Sequence, residues 1–439
     1  MATDGPYQKS GQDGIDAPVD GARSASPDLA PVANANRIDS LDFIRGVAVM
    51  GILAANIVAF GHPFEALFYP GAFLTGHGEW SDWLAVVQYV VIDNKMRGLF
   101  TLLFGAGLYL FMERAWARGA TRLLQLWRLT ILAGFGLFHF FIIWRGDILT
   151  YYALIGIALL PLLRFSPAVQ LGLGIGGYLL GVLFYAGSLT FPYLISDTTF
   201  GESEGFAQAR EGLIAGKAQS LADGRVEAAL IEGGEHGALI SHRLAEHGMD
   251  PLTNTMFFVF ETAPLMLIGM ALYRLGFFSG EFSRSKLVRG GWLALGSGAA
   301  ISLGIALWMK AGGFTYYLSL AGYVGWSPLP QLLMTLGLAA LMVAYSPRWD
   351  GWLAQRISAA GRVAFTNYLG TSIVMVWVFH GWGLGLYGEL ARPQLYLVML
   401  GAWAVMLAWS RPWLERYRYG PLEWLWRCMT YRRIFALRR

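Results

Sequence analysis

Sulfur and charge are what this chain has least of. One cysteine, Cys428, stands among 439 residues, so no intrachain disulfide can form and none staples an exported loop. Charged residues make up only 14% against 55% hydrophobic and 15% aromatic, which excludes an ordinary soluble protein. Also missing are a Gly-rich phosphate loop ending in Lys-Ser/Thr, metal-spaced His or Cys pairs, and a Gly-x-Ser-x-Gly elbow. No metal site is therefore expected. Residues 1–36 hold no apolar run of the kind a signal peptide needs and are expected to form a disordered cytoplasmic tail. The formal net charge of +4 is spread between apolar runs. That pattern reflects membrane topology and excludes nucleic acid as the partner.

What is present is hydrophobic length. Apolar runs near 43–60, 97–112, 124–143, 148–163, 169–190, 254–275, 291–309, 328–345, 362–380 and 394–410 predict about ten membrane helices. The stretch 83–92 is either an interfacial helix or an extension of the second. The fold class is all-α, a polytopic membrane helix bundle over 37–410 followed by a basic cytoplasmic tail, 411–439. Arg114, Arg118 and Arg122, then Arg284, Lys286 and Arg289, then Arg348 and Arg356 fall in short loops on one side, with many arginines after residue 410. Both termini are therefore expected in the cytoplasm. Segment 191–253 carries ten acids against Arg210, Lys217, Arg225 and Arg243 and reads as an exported, partly helical insertion.

Ionisable groups inside apolar runs cost several kcal/mol unless they have a partner or a task. An inner layer holds Asp42, Arg45, Arg128, Arg362 and Asn367. An outer layer holds Asn56 and His139, placed at similar depth (roughly 20 Å) by the 1.5 Å rise of a helix, with His62, Asp93, Arg145, Asp147, Glu261 and His380. Such a layer suggests one wet cavity opening outward. Arg45 and Asn56 share a helix face. Asp42 and Arg45 can pair at i, i+3, and Asp93 and Arg97 at i, i+4, with Lys95 free to point into the cavity. In "HFFIIWRGDILTYYALIG" Asp147 can cap the following helix or orient His139 as a general base. His139 could equally serve helix packing.

The stretches "LDFIRGVAVMGILAANI", "KMRGLFTLLFGAGL", "FHFFIIWRGDILTYYALIG", "GRVAFTNYLGTSI" and "GPLEWLWRCMTY" resemble the YeiB family of bacterial membrane proteins of unknown function. The Leu-Asp-x-x-Arg-Gly start also resembles, more distantly, the transmembrane acyltransferase superfamily. That resemblance implies a bacterial cytoplasmic (inner) membrane protein that moves an acyl group. In the glycan-acetylating branch a histidine follows the arginine after ten intervening residues; here that position is Asn56.

The expected reaction takes an acyl group from an acyl-CoA-type co-substrate, gripped by Arg45, Arg128, Arg362 and Asn367. The acceptor is a small molecule or envelope glycan held near His380, Glu261, Lys95 and His62. His139, Asp147 and Asn56 would be catalytic. No covalently bound cofactor is expected, and membrane lipid is the expected surrounding partner. The competing expectations are a small-molecule transporter or exporter and a non-catalytic lipid-binding protein.

Overall fold

The computed structural model describes residues 39–76, 78–346 and 350–439; the N-terminal tail and Arg348 lie outside them. The described chain is helical, with no strand beyond one isolated bridge between Tyr417 and Arg438. Eight helices are long and apolar enough to cross a bilayer, or nine with one bent pair taken as a single span. They are α1 (Asp39–Gly61), the α2–α3 pair (Glu79–Val91, Lys95–Trp116), α4 (Arg122–Phe138, prolonged by a π-turn, His139–Ile143), then α6 (Pro167–Asp197), α9 (Asp250–Arg274), α10 (Arg284–Ala311), α12 (Pro328–Tyr345) and α15 (Arg392–Arg416). The bent pair is α13 (Trp352–Arg362) and α14 (Ala364–Phe379), which meet at 87°. The expectation of about ten spans differs at 148–163. There α5 covers only Leu149–Ala158 before a 3-10 turn, Leu160–Arg164. Ten residues rise roughly 15 Å, half a hydrocarbon core.

Close approach of helices depends on glycine. A Cβ on Gly46 would lie 2.0 Å from the Ile357 carbonyl oxygen, and one on Gly361 1.8 Å from that of Asp42. Backbone therefore meets backbone between α1 and α13, the small-residue packing that apolar surroundings favour. Gly105 and Gly269 do the same between α3 and α9, facing the Met266 and Leu102 carbonyls.

The insertion is helical too. It comprises α7 (Ala207–Glu232) and α8 (His236–Glu246), and it folds back over the ends of α1, α4 and α14, where Gly381 N–H donates to the Ile231 carbonyl at 2.8 Å. The C-terminal tail forms α16 (Pro421–Tyr431) at the opposite end. Its Glu423 accepts from Phe365 N–H (2.8 Å), Thr366 N–H (3.1 Å) and Thr366 Oγ1 (2.5 Å). The "GPLEWLW" motif thus caps α14 just after the bend, satisfying donors the helix start leaves orphaned.

Candidate functional site

His139 ends the α4 helix where the backbone widens into a π-turn, a feature often found at functional sites. Its ring is fully buried, and Nδ1 lies 3.1 Å from Asp147 Oδ1. Asp147 also accepts from Leu149 N–H (3.1 Å) and Thr150 N–H (2.8 Å), so it caps α5 and holds the imidazole together. One carboxylate thus makes both contacts considered from sequence, the cap of the following helix and the approach to His139. Among the described residues, His139 Nε2 has no hydrogen-bond partner. Tyr368 (ring centroids 5.2 Å apart) and Trp144 (6.3 Å) flank the imidazole. Tyr368 Oη accepts from Ile148 N–H at 3.3 Å, which fixes it against the same turn. A buried histidine with one nitrogen tied to a carboxylate and the other unbonded is the arrangement a general base requires.

From this dyad a polar chain runs into the bundle. Tyr151, one turn beyond Asp147, interacts with Arg97 and, electrostatically, with both Glu261 and Asp147. Arg97 Nη2 meets Glu261 Oε2 at 2.9 Å, and Gln331 Nε2 donates to Glu261 Oε1 at 2.7 Å. The expected Asp93–Arg97 pair is therefore corrected. Asp93 lies in the turn between α2 and α3, where Asn94 has φ +65°, so the two do not share a helix face. Asp93 instead accepts from Gln88 at 3.1 Å. Lys95 is buried and donates to the Tyr89 carbonyl, over whose ring it lies; it does not enter a cavity.

At the arginine-rich end, Arg45 pairs with Asp42 at 3.2 Å. Arg128 is sandwiched between Phe111 (4.4 Å) and Trp426 (4.2 Å), close enough to Arg45 and Arg427 to feel their positive charge. Arg427, on α16, belongs to the basic tail that bore only on topology in the sequence. Asn367 donates to the Ala360 carbonyl (3.0 Å) and Ser410 Oγ (3.2 Å) and accepts from Trp409 Nε1 (3.0 Å). It pins the bend to α15. Arg362 closes α13 at that bend.

At the insertion end, where a wet cavity was expected, lies a narrow, partly open pocket with about 10 Å³ of free space, about one water molecule. His62, His380, Trp144, Arg145, Glu227 and Arg243 help line it. The reason is a clasp. Arg145 meets Glu227 at 2.7 Å, Asp223 at 3.7 Å and Glu65 at 3.9 Å, while Arg243 bonds Glu227 at 2.9 Å and the Ile143 carbonyl at 3.3 Å. Burial pushes the Glu227 carboxyl upward, but Arg145 and Arg243 outweigh it and hold it below the usual range. Burial raises Glu65. His62 donates through Nε2 to the Leu390 carbonyl at 2.8 Å and accepts through Nδ1 from Leu74 N–H at 3.3 Å. Burial lowers its pKa to about 4 and that of His380 to about 3. Asn56 is half-buried on α1, one turn before Ala59 and Phe60. The Ala59 carbonyl accepts from Trp144 Nε1 at 3.4 Å, and the Phe60 ring stacks on Trp144 at 4.0 Å. Trp144 thus borders both the dyad and the narrow pocket.

Residues 272–433 match the family model described as a protein of unknown function (DUF418). Over 418 residues the chain is 31% identical to the uncharacterized protein YxaH of Bacillus subtilis (strain 168), covering 92% of this chain and 96% of that protein. It is 32% identical over 403 residues to the uncharacterized protein YeiB of Escherichia coli (strain K12), covering 90% and 96%. The chain belongs to the YeiB-like DUF418 family. No solved structure matches it. The family model spans the bend at Val363, its Glu423 cap and the Asn367 pin, while the His139–Asp147 dyad lies ahead of it.

Proposed function

We propose that this DUF418-family protein transfers an acyl group across the bacterial cytoplasmic membrane, from a cytoplasmic acyl-CoA-type donor to a hydroxyl or amine acceptor on the insertion side. The observation that carries the reading is the buried His139–Asp147 dyad with its unbonded Nε2. Arg128 and His139 support it: they lie eleven residues apart on one helix, close to three full turns, hence on nearly one face and roughly 16 Å apart. An extended pantetheine arm covers such a distance. Arg45, Arg128 and Arg427 would receive the donor's phosphates, for which guanidinium is well suited.

In the reaction, His139 Nε2 takes the proton from the acceptor O–H or N–H. The acceptor atom attacks the thioester carbonyl, the C–S bond breaks, and the proton passes to the leaving thiolate. Asn56 is the proposed hydrogen-bond donor to the developing oxyanion. Trp144, which touches both the imidazole and the pocket, is the proposed gate between Nε2 and the insertion side. Glu261, Lys95, Asn367 and His62 bond protein atoms; we assign them to the frame around the site.

The test uses detergent-purified protein and acetyl-CoA, with water as the slow acceptor, following thiol release. Wild type should release CoA, and His139→Ala should lower the rate roughly 10²–10⁴-fold while CoA binding persists. Absence of turnover in wild type, combined with substrate accumulation in proteoliposomes, would place the protein among transporters instead.

A further inference from the structure

Beyond the dyad, one cluster at the insertion end has the composition of a ligand site. Asp223 on α7, His242 on α8 and His247 just past α8 bring their ligating atoms within 4.8 Å of one another. His242 Nε2 lies 3.0 Å from Asp223 Oδ1, and His247 Nε2 lies 3.0 Å from Asp223 Oδ2. The imidazole planes are steeply inclined to one another, 77°, and both Nε2 atoms meet the same carboxylate. On the far side of His247, Nδ1 is 3.0 Å from Asp250 Oδ2. A carboxylate behind a histidine fixes the tautomer that presents an Nε2 lone pair inward, the usual outer support of a metal-bound histidine.

Charge points the same way. Glu65, Asp223, Glu227 and Asp250 gather here against Arg145 and Arg243. Glu65 is buried, and among the described residues its Oε2 has no hydrogen-bond partner. That oxygen lies against Gly224, where a Cβ would come within 2.6 Å. Arg145 Nη1 reaches His247 Nε2 at 3.3 Å and Asp223 Oδ2 at 3.7 Å. It thus shares the acceptors a cation would use, and its bond to Glu227 at 2.7 Å gives it a place to remain when a cation takes them.

We propose that Asp223, His242 and His247 form a binding site for a divalent cation of the zinc class, with Asp250 orienting His247 from behind. Two imidazoles and a carboxylate are a nitrogen–oxygen set suited to zinc, and three protein ligands leave a position for water. The ion ties α7, α8 and the start of α9 into one unit over the narrow pocket. Nothing in the spacing of these residues along the chain announces it.

The experiment takes the full chain, purified without a polyhistidine tag, stripped with chelator and titrated with ZnCl₂ by calorimetry. One equivalent of Zn²⁺ per chain and a rise in melting temperature are expected. His242→Gln and His247→Gln, whose amides can still bond Asp223, should each bind Zn²⁺ more than 100-fold more weakly, and Asp250→Asn about 10–100-fold more weakly. If a variant fails to fold, X-ray absorption at the zinc edge of wild type decides: a shell of light atoms at roughly 2.0–2.1 Å with imidazole scattering supports the site. The proposal is overturned if wild type binds zinc no better than the His242→Gln, His247→Gln double variant, or if its zinc edge shows no imidazole.

Discussion

Arg97 and Glu261 face each other at 2.9 Å between α3 and α9, and Gln331 from α12 holds the second carboxylate oxygen at 2.7 Å. Three helices share one buried charge pair. Removing one partner of such a pair leaves the other uncompensated, at a cost of about 3–5 kcal/mol. Glu261→Gln should therefore lower the melting temperature strongly, whereas Arg97→Met with Glu261→Met should recover most of the loss. Equal destabilisation by the single and the double change would show that the pair is not the relevant unit.

Asp147→Asn separates the two tasks of that carboxylate. Asparagine is as good a helix cap as aspartate, so α5 should stay capped and stability should change by less than about 1 kcal/mol. The imidazole loses its anionic partner. Acyl-CoA turnover should fall well below wild type yet stay above that of His139→Ala. Loss of stability with unchanged turnover would assign Asp147 to capping alone.

Acid should weaken the insertion end. His62 and His380 titrate near 4 and 3 in the folded protein, because burial opposes their charge, against 6.5 in an unfolded chain. Their stabilising contribution is complete above about pH 6.5 and is lost as the pH falls from there toward 4. His62 alone should contribute a loss on the order of 2 kcal/mol at pH 5, since its Nδ1 already accepts from Leu74 N–H. Melting temperature measured from pH 7.5 to 5 should fall less steeply in His62→Asn; an unchanged slope would remove His62 from the account.

Glu423→Ala deprives Phe365 N–H, Thr366 N–H and Thr366 Oγ1 of one shared acceptor. A loss of about 1–3 kcal/mol is expected. Glu423→Gln keeps one carbonyl oxygen and should be milder. Thermal unfolding of the two variants, compared side by side, tests whether this motif serves the bend.

Orientation can be read with a cysteine at Gln219, an exposed position on α7. With both termini in the cytoplasm, it should react with a membrane-impermeant thiol reagent in intact cells. Protection there, with labelling near the C-terminus, would reverse the assignment.

Composition and hydrophobic run length were enough to establish an all-helical membrane bundle, because a lipid environment leaves a continuous apolar chain few alternatives to helix. The Asp42–Arg45 contact and the proximity of His139 to Asp147 were also legible, since each lies within one helix or across one tight turn. Pairings between distant segments were not. Arg97 lies four residues from Asp93 and 164 from Glu261, yet it bonds the latter, because the α2–α3 turn rotates Asp93 away and glycines let α9 approach α3. The clasp of Arg145 on Glu227, the meeting of Asp223 with two histidines, and the narrowness of the pocket likewise depend on where α7 and α8 settle. Sequence spacing fixes which residues share a helix face. Which faces meet is decided only when helices pack, since a buried charge takes the partner that tertiary contact leaves within reach.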